Sequence, residues 1–185
     1  MSAVVYHHTD TGRLPHILLS GELRPGRNRI GGYPDPDFLW ATTSPLGDRT
    51  ASASAQAFRS GLTQAVRFVL RANDFETWPE MVRQFPAWTP DQIARLEHAA
   101  RGQSRSQDWR CRVAPLPAEA WLKIETRSYT DPVWRPLDLT EAPTVVDADT
   151  IGVWIGDKIY ISTPFAGPNG STGYSVRVGT RAGAA

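Results

Sequence analysis

Short β-prone runs of residues recur along the whole chain, and this pattern constrains the fold more than any other feature of the sequence. Segments of helical character are concentrated in the first 100 residues. Many short strands with few, segregated helices indicate an α+β fold, and a length of 185 residues fits a single domain that spans residues 1–185. The predicted strands cover residues 4–6, 38–42, 65–71, 109–113, 122–126, 144–146, 151–155, 158–162 and 174–178.

A few helical segments carry recognisable start and stop signals. Pro15 lies in the first turn of the first predicted helix, where its missing N–H costs little, and Gly21 is suited to end that helix. Thr89 is a good N-cap, and Pro90 follows it at the first helical position. The predicted helical segments are residues 12–20, 49–60, 74–81 and 90–100.

Glycine and proline mark the predicted loops, which are residues 22–37 and 165–173, with a frayed tail at 179–185. The first loop contains Arg24, Arg27 and Arg29, whose guanidinium groups suit phosphate oxygens. These arginines either hold the pyrophosphate of a nucleotide, contact the phosphates of a nucleic acid, or form a solvated charged loop. The sequence leaves these three alternatives open.

Composition excludes some classes of protein and leaves others open. The formal net charge of +1 argues neither for nor against a nucleic-acid partner. Cys111 is the only cysteine, so no intrachain disulfide can form, which suits a reducing cytoplasm. The first residues lack the pattern of a signal peptide, and no apolar run approaches the roughly 20 residues needed to cross a bilayer. We therefore expect a soluble, cytoplasmic protein without a membrane partner.

Several common site types are not supported by the sequence. It contains neither a P-loop motif nor a strand-linked G-x-G-x-x-G, so neither mode of nucleotide binding is indicated. One cysteine and dispersed histidines make a zinc site improbable, and no metal is expected. Cys111 is conceivable as a thiol nucleophile, although a cysteine buried in a strand is usually inert. His16 and His98 fall within predicted helices and are expected at the surface.

The strongest constellation is a set of three consecutive segments. The strand Tyr6-His7-His8-Thr9 leads into the helix that ends at Gly21, and the later strand Phe38-Leu39-Trp40-Ala41-Thr42-Thr43 follows the arginine-containing loop. This arrangement resembles the N-terminal half of the ADP-ribosyltransferase superfamily, on the branch with the poly(ADP-ribose) polymerases and DarT-like toxins. The resemblance covers residues 3–60 well and 105–127 loosely. It implies an ADP-ribosyltransferase-like split β-sandwich, two packed antiparallel sheets with an NAD cleft between them and helices mainly in the N-terminal part.

The same resemblance implies roles for individual residues. His7 matches the histidine that holds the adenosine ribose of NAD, while His8 and Thr9 match the residues beside the nicotinamide. Trp40 falls at the aromatic position that packs against the nicotinamide, where the family usually has a tyrosine. Asp108 falls where the family usually has its catalytic glutamate, one methylene longer.

Two residues of the arginine-containing loop complete the predicted NAD site. Arg27 would contact the pyrophosphate, and Tyr33 would cover the cofactor as a lid aromatic. The implied reaction transfers ADP-ribose from NAD to a macromolecular acceptor, nucleic acid or protein, and releases nicotinamide. Family resemblance also suggests a toxin with a possible cognate antitoxin.

The chemistry explains why these residue types are needed. Loss of nicotinamide creates a cationic, oxocarbenium-like sugar, which a carboxylate such as Asp108 can stabilise. An imidazole can clamp a ribose because one nitrogen donates a hydrogen bond while the other accepts one. Two alternatives use the same cleft: hydrolysis of NAD, in which water replaces the acceptor, and binding of NAD or another nucleotide by a non-catalytic interaction domain. Each residue also has a purely structural interpretation, as a strand histidine, a core tryptophan or a loop carboxylate.

Overall fold

The computed structural model describes residues 3–26, 32–46, 54–102, 104–167 and 172–181. Within these residues the fold is α+β, and every pair of neighbouring strands is antiparallel. The helices are α1 (Leu14–Ser20), α2 (Ala55–Arg59), α3 (Trp78–Val82) and α4 (Pro90–Ala99), with short 3-10 turns at Ala72–Asp74, Ser106–Asp108 and Ala118–Ala120. The predicted α+β class and the concentration of helices in the first 100 residues are therefore confirmed.

A seven-stranded sheet forms the larger part of the molecule. Its strands, in spatial order, are β5 (Glu76–Thr77), β6 (Trp109–Arg112), β3 (Leu39–Thr42), β1 (Val4–Asp10), β4 (Ala65–Arg71), β8 (Trp121–Arg127) and β9 (Arg135–Pro136). The first strand of the chain thus lies at the centre of this sheet, between β3 and β4. Strands β2 (Glu22–Leu23) and β7 (Leu116–Pro117) form a separate two-stranded pair.

The C-terminal part of the chain forms a second, four-stranded sheet. It consists of β10 (Thr144–Asp147), β11 (Thr150–Ile155), β12 (Lys158–Ala166) and β13 (Thr172–Thr180) in that order. The predicted hairpin turn before Lys158 is confirmed, and Gly156 takes a left-handed φ of 59° there. The prediction of a loop over 165–173 is wrong in part, because Phe165 pairs with Gly173 and Ala166 with Thr172.

The other helical predictions hold to different extents. Thr89 is the N-cap of α4 as predicted, and it also forms a capping box with Gln92. Helix α1 ends at Gly21 in the left-handed conformation, with φ 67°. The segment predicted as a helix over 49–60 contains α2, while 49–53 lies outside the described residues. No helix in the described part of the chain is long and apolar enough to span a membrane.

Two hydrophobic clusters hold these elements together. The first joins the seven-stranded sheet to α1 and the four-stranded sheet, through residues such as Val5, Phe68, Leu14, Val153 and Tyr160. The second is rich in aromatic rings and lies beside β3 and β6; its buried members are Phe38, Trp78, Met81, Val82, Trp88, Ala100, Trp109 and Cys111. Aromatic side chains bury large areas, so this cluster fixes the position of β3.

Burial also bears on whether Cys111 could act as a thiol nucleophile. The Cys111 side chain is fully buried, and desolvation raises the pKa of its thiol far above the usual range. The thiol therefore stays protonated and is shielded from substrates. A nucleophilic role for Cys111 is contradicted by this environment.

Candidate functional site

The cleft opens where the central strand β1 separates from β3. Strand β1 pairs with β4 along its whole length, from Val4 to Asp10, but its backbone pairing with β3 is limited to Tyr6 opposite Thr42. Beyond that pair, the His7 ring bridges the gap, with Nδ1 2.7 Å from the Trp40 carbonyl oxygen. The widening between the strands produces a cavity of about 510 Å³.

Residues from several elements line this cavity. Strand β1 contributes His7, His8 and Thr9, and the chain at the start of β3 contributes residues 37–40. The remaining walls come from one face of α1, from residues 22–26 and from Thr172 and Tyr174 at the start of β13. The cleft therefore lies at the junction of the central strands, the first helix and the second sheet.

His7 is held as a neutral imidazole of defined tautomer. Burial lowers the pKa of His7; the hydrogen bond to Trp40 opposes this shift, and the positive charge of Arg13 adds to it. Because the Trp40 carbonyl can only accept, the neutral ring carries its proton on Nδ1. Nε2 consequently has a lone pair that can accept a hydrogen bond, for example from a ribose hydroxyl.

Thr9 contributes a polar group whose bonding capacity is unused. Its side chain is only 6% exposed, and Oγ1 has no hydrogen-bond partner among the residues that the structure describes. An unsatisfied buried hydroxyl costs about 1–3 kcal/mol, so Thr9 Oγ1 is a locally destabilising group in the wall of the cleft.

His8 and Trp40 line the cleft while packing against neighbouring elements. His8 Nε2 lies 3.4 Å from the Ser44 carbonyl oxygen, and its ring centroid lies 5.9 Å from that of Trp134. The indole of Trp40 belongs to the aromatic cluster, with ring centroids 5.2 Å from Trp78 and 5.6 Å from Phe38. Its ring orientation is therefore fixed by packing.

The other predicted site residues lie away from this lining. Asp108 is placed beside Thr43, whose hydroxyl donates to Oδ1 at 3.1 Å, while Arg105 Nε is 3.5 Å from Oδ2. Tyr33 stacks on Trp88 at a centroid distance of 5.5 Å, and the Arg95 guanidinium covers it at 4.7 Å. Both assignments stay predictions.

The predicted phosphate-binding arginines divide between the described and undescribed parts of the chain. Arg27 and Arg29 lie outside the described residues. Arg24 lines the cleft, with its Nε 2.5 Å from Oε1 of Glu22, and Arg13 approaches from α1. Arg13 is itself paired with Asp10, at 2.7 Å.

Helix α1 supplies residues that the sequence analysis did not assign to the site. Arg13, His16, Ile17 and Ser20 all line the cleft, and their spacing of three, four and seven residues from Arg13 places them on one helical face. That spacing is the signal that could have identified them. The expectation that His16 lies at the surface is wrong, because the ring is half-buried and Nε2 lies 3.1 Å from Ser162 Oγ.

Asp37 is a second residue that the sequence analysis missed. Its carboxylate is half-buried in the cleft, and Oδ1 accepts a hydrogen bond from the Phe38 backbone N–H at 2.7 Å. Burial raises the pKa of Asp37; hydrogen bonds from Phe38 and Trp40 oppose that shift, and the charge of Asp35 adds to it. No distinctive local motif marks this aspartate within a loop rich in proline and aspartate.

No group of three or more side chains with metal-ligand chemistry occurs within the described ranges. Comparison of the chain with protein-family models, curated proteins and solved structures finds no match. The function is therefore argued from the chemistry of the cleft.

Proposed function

We propose that this chain is an NAD-dependent ADP-ribosyltransferase, with a fold of the ADP-ribosyltransferase type, which transfers ADP-ribose to a macromolecular acceptor and releases nicotinamide. One observation carries the proposal: His7, His8, Thr9 and Trp40, singled out by their motif, line one cleft. Its volume of about 510 Å³ lies within the roughly 300–1,000 Å³ typical of small-molecule sites.

The hydrogen-bonding state of the cleft fits the ligand. The Nε2 lone pair of His7 would accept a hydrogen bond from a ribose hydroxyl, and Thr9 would form the wall beside the nicotinamide portion. Trp40 would pack against the nicotinamide ring, a contact that contributes about 1 kcal/mol beyond area burial. These groups bind and orient NAD before the glycosidic bond breaks.

The cationic groups at the edge of the cleft fit the pyrophosphate. Arg13 and Arg24 line the cleft, and each is at least two-fifths exposed although paired with a carboxylate. A pyrophosphate would accept charge-assisted hydrogen bonds from the guanidinium N–H groups that these pairs leave unused, with Arg27 as a further predicted contact. The macromolecular acceptor, nucleic acid or protein, would approach the open side. A cytoplasmic toxin controlled by a cognate antitoxin is the biological role that the resemblance suggests.

The test is to incubate the protein with NAD labelled in its adenylate phosphate, together with separate pools of protein, DNA and RNA. Transfer predicts label in one pool and release of one nicotinamide for each label incorporated. Free labelled ADP-ribose without incorporation would identify an NAD hydrolase instead. NAD that binds but stays intact in every pool would identify a non-catalytic binding domain, and the transferase proposal would fail.

A further inference from the structure

We propose that Asp37 is the carboxylate that contacts the ribose of NAD while nicotinamide leaves. This inference rests on the proposed function and deepens it by naming the acidic group of the reaction. It differs from the sequence-based prediction, which gives that role to Asp108.

The first argument is position. Asp37 lines the same cleft as His7 and Thr9, and it precedes Trp40, whose carbonyl holds the His7 ring, by three residues. Asp108 lies outside that lining and is engaged by Thr43 and Arg105. A carboxylate must be within hydrogen-bond reach of the sugar to act on it. Asp37, as part of the cleft lining, is placed to meet a ligand bound there, whereas Asp108 is not.

The second argument comes from the other carboxylates near the cleft. Glu22 lies 2.5 Å from the guanidinium of Arg24, so its charge is neutralised. Asp10 accepts hydrogen bonds from the Gly12 and Arg13 backbone N–H groups and pairs with the Arg13 side chain, so it holds the start of α1. Asp37, by contrast, forms no ion pair with a described residue.

The third argument is the way in which the Asp37 carboxylate is held. Its Oδ1 is fixed by the Phe38 N–H at 2.7 Å, which orients the group. Gly26 lies against Oδ2 so closely that a Cβ at position 26 would collide with that oxygen. Glycine at position 26 therefore permits the carboxylate to take this position, which a larger residue would prevent.

The charge of Asp37 fits the proposed step. A half-buried carboxylate that has no ion-pair partner among the described residues interacts more strongly with a cation than one in bulk water does. In the reaction, the bond between ribose C1′ and the pyridinium nitrogen breaks, and its electron pair leaves with neutral nicotinamide. The positive charge moves to the sugar beside Asp37. The acceptor then bonds to C1′, and its proton passes to Asp37 and on to solvent.

The experiment uses the full chain with NAD itself and compares two isosteric variants, Asp37→Asn and Asp108→Asn, with Asp91→Asn on the exposed side of α4 as control. Nicotinamide release, NAD affinity by calorimetry and thermal unfolding are measured for each. We expect Asp37→Asn to lose at least about 100-fold in turnover, the scale of a positioned acid or base. Its NAD affinity and unfolding temperature should stay close to those of the wild type.

Gly26→Ala tests the same group without removing its charge. The added Cβ would collide with Oδ2 and displace the carboxylate, so turnover should fall by about tenfold or more while the charge remains. Wild-type turnover in both Asp37→Asn and Gly26→Ala would overturn the role of Asp37. Loss of turnover in Asp108→Asn alone would overturn it in favour of the sequence-based prediction. A wild-type protein that releases no nicotinamide would instead overturn the proposed function, and the inference with it.

Discussion

His7 shows how a single residue acquires a defined chemical state from its surroundings. Its Nδ1 proton is committed to the Trp40 carbonyl, and burial lowers the pKa of the ring. Sequence reasoning anticipated that the imidazole would donate from one nitrogen and accept at the other. The structure identifies the donor as Nδ1 and its partner as the protein itself, so Nε2 is left for the ligand.

We predict that His7→Ala weakens NAD binding by about fivefold, since a net hydrogen bond of about 1 kcal/mol from the ligand to Nε2 is lost. Calorimetric titration with NAD measures the change. His98→Ala is the matched control, because His98 is exposed on α4. Equal affinities for both variants and the wild type would show that His7 does not contact the ligand.

The same residue makes stability depend on pH. The pKa of His7 is lowered from its ordinary 6.5 in the folded protein. At a pH between the folded-state and the unfolded-state pKa, the unfolded chain therefore binds more protons than the folded one. The contribution of His7 is therefore complete above about pH 6.5 and is lost as the pH falls through the folded pKa. His16 shifts in the same direction for the same main reason, burial.

We predict that the free energy of unfolding falls more steeply below pH 6.5 in the wild type than in His7→Gln, because glutamine does not titrate. Urea unfolding at a series of pH values from 8 to 5 measures both slopes. Parallel curves for the two proteins would mean that His7 titrates alike in the folded and unfolded states.

At the scale of elements, a contact between the start of α1 and the four-stranded sheet positions one wall of the cleft. Ser162 on β12 donates to the Gly12 carbonyl oxygen at 2.5 Å and lies 3.1 Å from His16 Nε2. The Ser162 hydroxyl donates its proton to the Gly12 carbonyl, so it accepts a hydrogen bond from His16 Nε2. The Ser162 side chain therefore connects the four-stranded sheet to the chain before α1 and to the first turn of α1. Gly12 allows this close approach, since a Cβ there would lie 2.9 Å from Val176.

We predict that Ser162→Ala destabilises the protein by about 1–3 kcal/mol, because it leaves a buried carbonyl and an imidazole N–H without a partner. Urea unfolding gives the free energy, and NAD affinity should fall as well because α1 loses its anchor. Ser175→Ala, at an exposed position on β13, is the control. A loss no larger than that of the control would contradict the anchoring role of Ser162.

Elements whose sequence signals are local could be predicted. The run Ala65–Arg71 matches its strand in full, and Gly21 marks the end of α1 in both sequence and structure. The extension of β12 and β13 was not predictable from composition, since the glycine, proline and serine residues of 165–173 indicated a loop. Pro164 is tolerated because β11 pairs with β12 only as far as Ser162, so the proline lies beyond that ladder.

At the scale of the whole molecule, the site combines parts that are distant in the sequence. Thr172 and Tyr174 reach the cleft from the last strand, and no local pattern links them to His7. Sheet register separates Asp108 from the cleft. Asp108 lies opposite Thr43, beyond the Tyr6–Thr42 pair, whereas Asp37 lies at the other end of β3. The sequence predicted the motif residues of β1 and β3. Which carboxylate lies in the cleft depends on the alignment of the strands, which the sequence pattern does not specify.

The central claim is that NAD occupies the cleft between β1, β3 and α1. Titration of the isotope-labelled protein with NAD, followed by amide resonances, tests it most directly. We predict saturable shifts of the amides of residues 7–9 and 38–40, with those of α4 unchanged, because none of its residues lines the cleft. An absence of shifts, or shifts confined to surfaces away from His7 and Trp40, would contradict the account.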